Sequence, residues 1–333
     1  MSLLIEDLHK TDAFPEPTNN VFLVQTHISM VFVCDLYVYK IKKPVNFGFL
    51  DFSTLEKRKY FCHKEVDLNR RLAKDIYIGV VPVIFDGKRH LVGKGEGEIK
   101  EYAVKMKRIP ENMLMSKVFE RKELEKAHLN KVAHIIANFH LSADTSPEIE
   151  EFGNPRKFKI NTDENFEQVE KYIGLCIDKD KFYELKDWTY KFYERFNDLF
   201  TLRIKQKRIR DCHGDLHMEH ICLVDNVYII DCIEFNDRFR YGDTLADIAF
   251  LLMDLEYHGG YNYAQILWDY YKKLANESEE VDPLLKFYKV YRAFVRGKVN
   301  SFQLDDESIS KENKESAINR AKAYFKLAYT YIS

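Results

Sequence analysis

One change of pattern along the chain limits the folds that it can adopt. Up to about residue 106 the sequence is rich in Val, Phe, Tyr and Ile in short segments that predict strands. Beyond Pro110 apolar residues recur mostly at the three- and four-residue spacing of helices. A small β-rich half followed by a larger helical half predicts an α+β fold with two lobes.

The first half predicts an antiparallel sheet with one helix packed on it. Residues 21–42 predict two strands, and residues 77–106 predict two more around a glycine-bearing hairpin. Between these pairs, Ser53 and Glu56 have the spacing of a capping box and open a helix that runs to about Leu72.

The second half predicts helices and a single β-like island. Residues 143–163 contain three Pro or Gly breaks and predict a loop. Residues 209–235 predict a short non-helical island with two β-like segments. The predicted helices cover residues 120–142, 164–176, 180–200, 244–256, 262–275, 283–302 and 312–331.

Composition excludes several classes of partner. The 333 residues carry a net charge of −2, so no overall field attracts nucleic acid or an anionic membrane. The basic run 203–210 lacks interleaved aromatic residues and is interpreted as a solvated helix end. Six scattered cysteines without a CxxC pair predict reduced thiols, and the apolar runs are shorter than the roughly 20 residues that span a bilayer. We therefore expect a soluble cytoplasmic protein.

Polar residues cluster in the β-like island. The string 212–217 (Cys-His-Gly-Asp-Leu-His) contains Asp215, and Asp231 follows sixteen residues later at the end of a short apolar strand. A hairpin in this segment brings these two residues and His220 toward one end. Phosphoryl transfer needs one carboxylate to orient and deprotonate the attacking hydroxyl and others to hold magnesium against the phosphates. The island therefore has the residue types that phosphoryl transfer requires.

These motifs resemble those of a known family. The segment 213–217 followed by Ile230-Asp231 resembles the catalytic and metal motifs of aminoglycoside phosphotransferases and choline-kinase-like enzymes. The segment 242–249 is similar to the Gly-Asp-x-x-x-Asp-Leu-Ala stretch of that family, in which Asp243 and Asp247 are expected to cap and brace the following helix. The resemblance is strongest over residues 212–256.

The resemblance implies a protein-kinase-like fold and a division of labour along the chain. Residues 1–106 correspond to the nucleotide-binding lobe, and residues 107–333 to the helical catalytic and substrate lobe. ATP and Mg²⁺ are the cofactors that the family uses.

The resemblance also implies the roles of individual residues. Asp215 is the catalytic base, and Asp231 matches the magnesium-binding aspartate. Lys40 matches the strand lysine that contacts phosphate oxygens, and Glu65 is its expected partner. Lys42 lies on the same strand face two residues later and is an alternative to Lys40.

The chain departs from the family pattern at two places. His220 occupies the position of an asparagine that is the second metal ligand, although Mg²⁺ prefers oxygen. The segment 25–29 replaces the glycine-rich phosphate loop, so hydroxyls of Thr26 and Ser29 are candidates for contacting phosphates. Glu234 is a further candidate, either as a metal ligand or as a salt-bridge partner.

The leading hypothesis is an ATP-dependent phosphotransferase acting on a hydroxyl of a metabolite or an aminoglycoside-like antibiotic. The two departures favour an alternative, a kinase-like pseudoenzyme that binds a nucleotide or a partner for regulation. A third hypothesis is transfer of AMP to a protein. Two groups of charged residues favour acceptors of opposite charge, so the sequence does not determine the charge of the acceptor. A cationic acceptor is favoured by Asp237, Asp254 and Glu256, and an anionic one by Arg292, Arg296 and Lys298.

Overall fold

The computed structural model describes residues 2–307 and 309–333. The chain folds into two compact units. The first comprises Met1–Lys122 and Glu219–Asp237, and the second comprises Glu123–Met218 and Arg238–Ser333.

Strands and helices follow one another in the order that the sequence pattern indicates. The strands are β1 Phe22–Gln25, β2 Ser29–Val33, β3 Tyr37–Lys42, β4 Tyr77–Phe85, β5 His90–Val92, β6 Glu98–Lys107, β7 Ile209–Asp211, β8 Ile221–Leu223, β9 Val227–Ile229 and β10 Tyr241–Asp243. The helices are α1 Ser2–Leu8, α2 Leu55–Ala73, α3 Met115–Glu120, α4 Lys126–Ser142, α5 Pro147–Glu150, α6 Pro155–Val169, α7 Lys179–Arg195, α8 Asn197–Lys205, α9 Asp237–Arg240, α10 Thr244–Tyr257, α11 Tyr261–Leu274, α12 Asp282–Phe302 and α13 Lys311–Ile332.

The first unit is built on an antiparallel sheet with the strand order β1-β2-β3-β6-β4-β5. Successive side chains of a strand point to opposite faces. Tyr39 therefore packs on one face with Leu4 and Leu8 of α1, while Lys40 points to the other face and reaches Glu65 of α2. Both sides of the sheet therefore carry apolar clusters, and Lys40 lies on the side of α2.

Three details of the first unit differ from the sequence-based expectations. Residues 21–42 and residues 77–106, each predicted as two strands, form three strands each. Helix α1 was not predicted; its Leu4 and Leu8 are buried against the sheet. The N-cap of α2 is Thr54, whose hydroxyl accepts a hydrogen bond from the Lys57 N–H, so the helix begins one residue later than the Ser53 box implies.

The hairpin β8–β9 belongs to the first unit, whereas the sequence-based division at residue 106 assigned it to the second half. The segment after β9 is anchored on the sheet side: the Cys232 N–H donates to Asn69 Oδ1 of α2 at 2.9 Å, and the Asp231 N–H donates to Tyr77 Oη at 3.2 Å. The functional division into a nucleotide lobe and a catalytic lobe stays a prediction.

The second unit is a helical assembly around an aromatic core. Phe166, Phe182, Phe294 and Phe325 are all buried there, and rings from α6, α7, α12 and α13 meet edge to face. Strand β7, which pairs antiparallel with β10, directly precedes the segment that contains Asp215.

Two predictions for the second unit were wrong. Residues 143–163 are not one loop, because α6 begins at Pro155 with the Asn154 side chain accepting the Arg156 N–H. Proline is favourable at the first position of a helix, and the sequence interpretation treated it as a break. Arg203 opens the basic run but is only 1% exposed, since it pairs with Asp243 and Glu277.

All six cysteines are buried and none of them forms a disulfide; their reduced state stays a prediction. Across residues 2–307 and 309–333, no helix combines the length and the apolar character that crossing a bilayer requires.

Candidate active site

Lys40 lies at the centre of a cluster of charges in the first unit. Its Nζ is 2.7 Å from Asp231 Oδ1 and 2.9 Å from Glu65 Oε1. The side chain of Lys40 is 15% exposed and that of Asp231 is 43% exposed. The sequence-predicted lysine, its glutamate and the metal-binding aspartate are therefore in direct contact.

Lys42 occupies the deeper position in the same cluster. Its Nζ donates to Glu65 Oε2 at 2.7 Å and to Glu234 Oε1, and the ammonium lies 4.8 Å from the centre of the Phe52 ring. Only 1% of the Lys42 side chain is exposed. Glu65 thus bridges both lysines, and Glu234 faces Lys42 as a salt-bridge partner; a metal-binding role for Glu234 stays a prediction.

Burial and neighbouring charges shift the pKa values of this cluster in opposite directions. Burial alone would lower the pKa of Lys40, but Asp231, Glu65 and Glu234 hold it well above its ordinary value. Burial would likewise raise the pKa of Glu65, but Lys40 and Lys42 hold it below its ordinary value. Lys40 and Glu65 are therefore charged at neutral pH, whereas burial raises the pKa of Glu234 above its ordinary value despite the charge of Lys42.

The backbone holds Asp231 in an unusual conformation. Its φ angle is 63°, in the left-handed region that residues other than glycine seldom adopt. The hydrogen bonds of the Asp231 and Cys232 N–H groups to Tyr77 and Asn69 fix this geometry. Such conformations persist where the surroundings over-determine them, as they do in functional sites.

His220 lies beside the same carboxylate. Its Nε2 is 3.5 Å from Asp231 Oδ2, and the His220 carbonyl accepts the Ile230 N–H at 2.9 Å. The structure therefore brings two of the three predicted metal ligands together. The accessible carboxylate of Asp231 fits Mg²⁺, which proteins commonly hold through one or two carboxylates plus substrate phosphates.

The two candidates in the segment 25–29 are differently placed. The Thr26 hydroxyl accepts the N–H groups of Ile28 and Ser29 and so closes its own turn. Ser29 is fully buried, and its hydroxyl has no hydrogen-bond partner in the described part of the chain. Phosphate contacts by Thr26 and Ser29 stay predictions.

The sheet face that carries Lys40 also carries exposed apolar side chains. In the strand register Lys40 stands opposite Val31, and Val31 stands opposite Val24. Phe22 and Val24 are 59% and 53% exposed on this face of the edge strand. An apolar surface beside a cation suits a ligand that has both a flat ring and phosphates.

Asp215 lies in the second unit, in a loop that is held from several sides. Its carboxylate keeps 33% exposure, and His217 Nε2 lies 3.5 Å from its Oδ2. The Asp215 N–H donates to His213 Nδ1 at 3.3 Å, and Gly214 adopts a φ of 86°. His213 and His217 therefore both contact Asp215 within this loop.

Two buried aspartates of α10 anchor this loop. Asp247 accepts the N–H groups of His213 and Gly214 at 2.9 and 2.8 Å, and Asp254 accepts the Met218 N–H at 3.0 Å. Positions seven apart share one face of a helix, so both reach the same loop. Asp247 was predicted to brace its own helix, and the contacts correct this. Asp243 was predicted to cap α10, and its side chain does accept the Leu245 N–H.

A second layer of contacts surrounds Asp247. His140 Nε2 lies 3.1 Å from its Oδ2, and His140 Nδ1 lies 2.8 Å from the Tyr271 hydroxyl. Burial would raise the pKa of Asp247, but His140, His213 and Arg292 hold it well below its ordinary value. Arg292 also donates to the Gly214 carbonyl at 2.9 Å. Sequence reasoning missed these anchors, although an aspartate in the otherwise apolar run 244–255 is a signal for one.

Comparison with known proteins identifies the family. The profile of the phosphotransferase enzyme family matches residues 52–284. The chain belongs to this family. Uncharacterized proteins of Mycobacterium tuberculosis and Mycobacterium bovis are each 33% identical over 279 residues, a region covering 83% of this chain and 53% of theirs. The chain therefore spans about half the length of the curated relatives that it matches.

Solved structures confirm the two-lobed, protein-kinase-like fold. A choline/ethanolamine kinase family protein from Mesorhizobium loti has a TM-score of 0.52 at 13% identity, with 99% of each chain covered. Amicoumacin kinase hAmiN in complex with AMP-PNP, Ca²⁺ and Ami has a TM-score of 0.54 at 12% identity, covering 92% of this chain and 88% of that one. The predicted α+β class is confirmed with them.

Proposed function

We propose that this chain is an ATP- and magnesium-dependent phosphotransferase that acts on a hydroxyl of a small molecule. The contact of Lys40 with both Asp231 and Glu65 is the observation that carries the proposal. A cation suited to phosphate oxygens, next to an accessible carboxylate suited to a metal ion, supports the proposal. In phosphoryl transfer these two elements supply most of the charge neutralisation.

In the first unit, Lys40 is the lysine that contacts phosphates, because it is the more exposed and touches Asp231. Lys42 and Glu234 form a buried support that fixes Glu65. Asp231 is the metal ligand, with His220 beside it. A bound magnesium ion would neutralise charge on the phosphates. Support for nucleotide binding also comes from the similar kinase whose structure contains AMP-PNP and a divalent ion.

In the second unit, Asp215 is the base. A new bond forms between the acceptor oxygen and the γ-phosphorus while the β–γ bridging bond breaks, and ADP leaves with the bonding electron pair. The proton of the acceptor hydroxyl passes to Asp215. The loop anchors Asp247 and Asp254 keep the carboxylate in place, and positioning of this kind contributes much of the rate of such reactions.

The experiment is a turnover assay with ATP, Mg²⁺ and a panel of polyols, amino alcohols, hydroxy acids and aminoglycosides. The wild-type protein is expected to release ADP in an acceptor-dependent manner. Asp215→Asn should lower kcat by about 10² to 10⁴, the range of general-base contributions. The matched control is Asp225→Asn, an exposed acid in the β8–β9 turn, which should keep wild-type rates.

Two outcomes would contradict the proposal. If Asp215→Asn retains more than about a tenth of the wild-type kcat, Asp215 is not the base. If ATP and Mg²⁺ bind but no acceptor is phosphorylated and no ADP is released, the chain is a nucleotide-binding pseudoenzyme.

A further inference from the structure

Helix α12 turns one face toward the loop that contains Asp215. Arg292 donates to the Gly214 carbonyl at 2.9 Å and to the Ala246 carbonyl at 3.0 Å. Arg296 follows four residues later and therefore lies on the same face, one turn further along. Arg292 thus donates to backbone carbonyls and holds the loop. Arg296 is the next cation on that face of α12.

Arg296 has unused hydrogen-bonding capacity. Its guanidinium lies 5.5 Å from the centre of the Tyr324 ring. Its Nε is buried and has no hydrogen-bond partner among residues 2–307 and 309–333. An unsatisfied buried donor is rare and costs stability, more so in a charged group, so its retention calls for an explanation.

The charge of Arg296 acts directly on the neighbourhood of the base. Burial would lower the pKa of Arg296, but Tyr324, Asp215 and Asp254 hold it above its ordinary value. A guanidinium is in any case always protonated in proteins. A permanent cation with an unused donor therefore lies near the carboxylate that we propose as the base.

The acidic candidates for an acceptor site are already engaged. Asp254 accepts the Met218 N–H, and Glu256 pairs with Lys289 at 2.5 Å and with the Tyr331 hydroxyl. Arg296, by contrast, retains a buried donor without a hydrogen-bond partner in the described part of the chain.

The other residues singled out from the sequence are engaged as well. Lys298 donates to Asn165 and Gln168 at 2.6 and 2.9 Å. Asp237 accepts from Lys64 at 2.8 Å, within the first unit. These contacts occupy both side chains.

We infer that the acceptor is an anion and that Arg296 binds its carboxylate or phosphate-ester group while its hydroxyl faces Asp215. This inference rests on the proposed function and names the acceptor class for that same reaction. Guanidinium pairs with carboxylates and phosphates through two parallel hydrogen bonds, which would satisfy the unused donor and orient the hydroxyl.

The test uses three-carbon acceptors of the same size and different charge. Glycerate carries a carboxylate, glycerol 3-phosphate a phosphate ester, glycerol no charge and serinol an ammonium group. Binding of each is measured by calorimetry to the full chain with AMP-PNP and Mg²⁺, and turnover by ADP release with ATP. The variants are Arg296→Gln and, as a matched control, Lys286→Gln on the exposed face of α12.

The inference predicts that at least one of the two anions binds the wild-type protein better than glycerol and serinol. Arg296→Gln should weaken the binding of that anion by about 10- to 100-fold, which is the loss expected for a charge-assisted pair. The KM for ATP should stay unchanged. Lys286→Gln should match the wild type. Preference for glycerate over glycerol 3-phosphate, or the reverse, then identifies the anion.

Two results would overturn the inference. One is tighter binding of serinol or glycerol than of both anions; acceptor-dependent ADP release would still support the kinase proposal in that case. The other is anion binding that Arg296→Gln leaves unchanged. Failure of the proposed function has a different signature, namely no binding of AMP-PNP and Mg²⁺ and no ADP release with any acceptor.

Discussion

The Lys40 ammonium lies 2.7 Å from Asp231 Oδ1, although 191 positions separate the two residues in the chain. The same ammonium also contacts Glu65. Lys42, two residues later, touches Glu65 but pairs with Glu234 instead of Asp231. The two lysines of β3 therefore have different neighbours and are expected to have different roles.

This difference predicts that replacing either lysine by methionine affects stability and activity to different extents. Lys42→Met should lower the free energy of unfolding by about 3–5 kcal/mol, since it removes the cation that pairs with the buried Glu234. Lys40→Met should lower the free energy of unfolding by only about 1 kcal/mol, because Glu65 still pairs with Lys42 and the Asp231 side chain is exposed to solvent. It should nevertheless lower kcat/KM for ATP strongly.

Urea denaturation and initial-rate kinetics on both variants measure the two effects. Equal losses of stability, or an unchanged kcat/KM in Lys40→Met, would contradict the assignment of Lys40 to phosphate contact.

The sequence did not distinguish these lysines, for a physical reason. Strand alternation places residues 40 and 42 on the same face, but it says nothing about depth beneath α2. Their depth depends on Phe52 and Glu234, which are distant in sequence and close in the fold. The local pattern did predict α2, β3 and the β8–β9 hairpin, because caps, alternation and turn residues act over a few positions.

The contact between His217 and Asp215 predicts a pH dependence of stability. Burial would lower the pKa of His217, but the charge of Asp215 and a hydrogen bond to it raise the pKa above its ordinary value. A raised folded-state pKa stabilises the fold fully at pH below the unfolded value of about 6.5, and this stabilisation is lost as pH rises through the folded pKa.

The measurement is the free energy of unfolding of the wild type and His217→Gln at pH 5.5 and 8.5. The difference between the two proteins should shrink at the higher pH. A difference that stays constant would mean that the imidazole contributes packing, against Phe250 for example, and no charge.

His220 predicts an effect on metal preference. Because imidazole suits softer metals than Mg²⁺ and an amide oxygen suits Mg²⁺, His220→Asn should raise the rate with Mg²⁺ relative to Mn²⁺. The ratio of kcat/KM for ATP with the two metals is the measurement. An unchanged ratio would show that His220 lies beside Asp231 without binding the metal.

In the second unit, the sequence predicts Asp215 but not the residues that anchor its loop. Asp215 was predictable because its motif is local. Asp254 and Arg292 act on backbone groups that are distant in sequence, and no spacing rule links them to residues 213–218. Asp247 was assigned to its own helix because aspartate near a helix N-terminus usually caps it. Its burial among apolar neighbours in α10 was the signal for a longer-range role.

The central claim is that Asp231 serves the metal–nucleotide complex and Asp215 serves the chemistry. Calorimetric titration of AMP-PNP, with and without Mg²⁺, into the wild type, Asp231→Asn and Asp215→Asn tests it most directly. The account predicts Mg²⁺-dependent binding to the wild type and to Asp215→Asn with similar Kd, and loss of the Mg²⁺-dependent part in Asp231→Asn. Mg²⁺-dependent binding that persists unchanged in Asp231→Asn would contradict it.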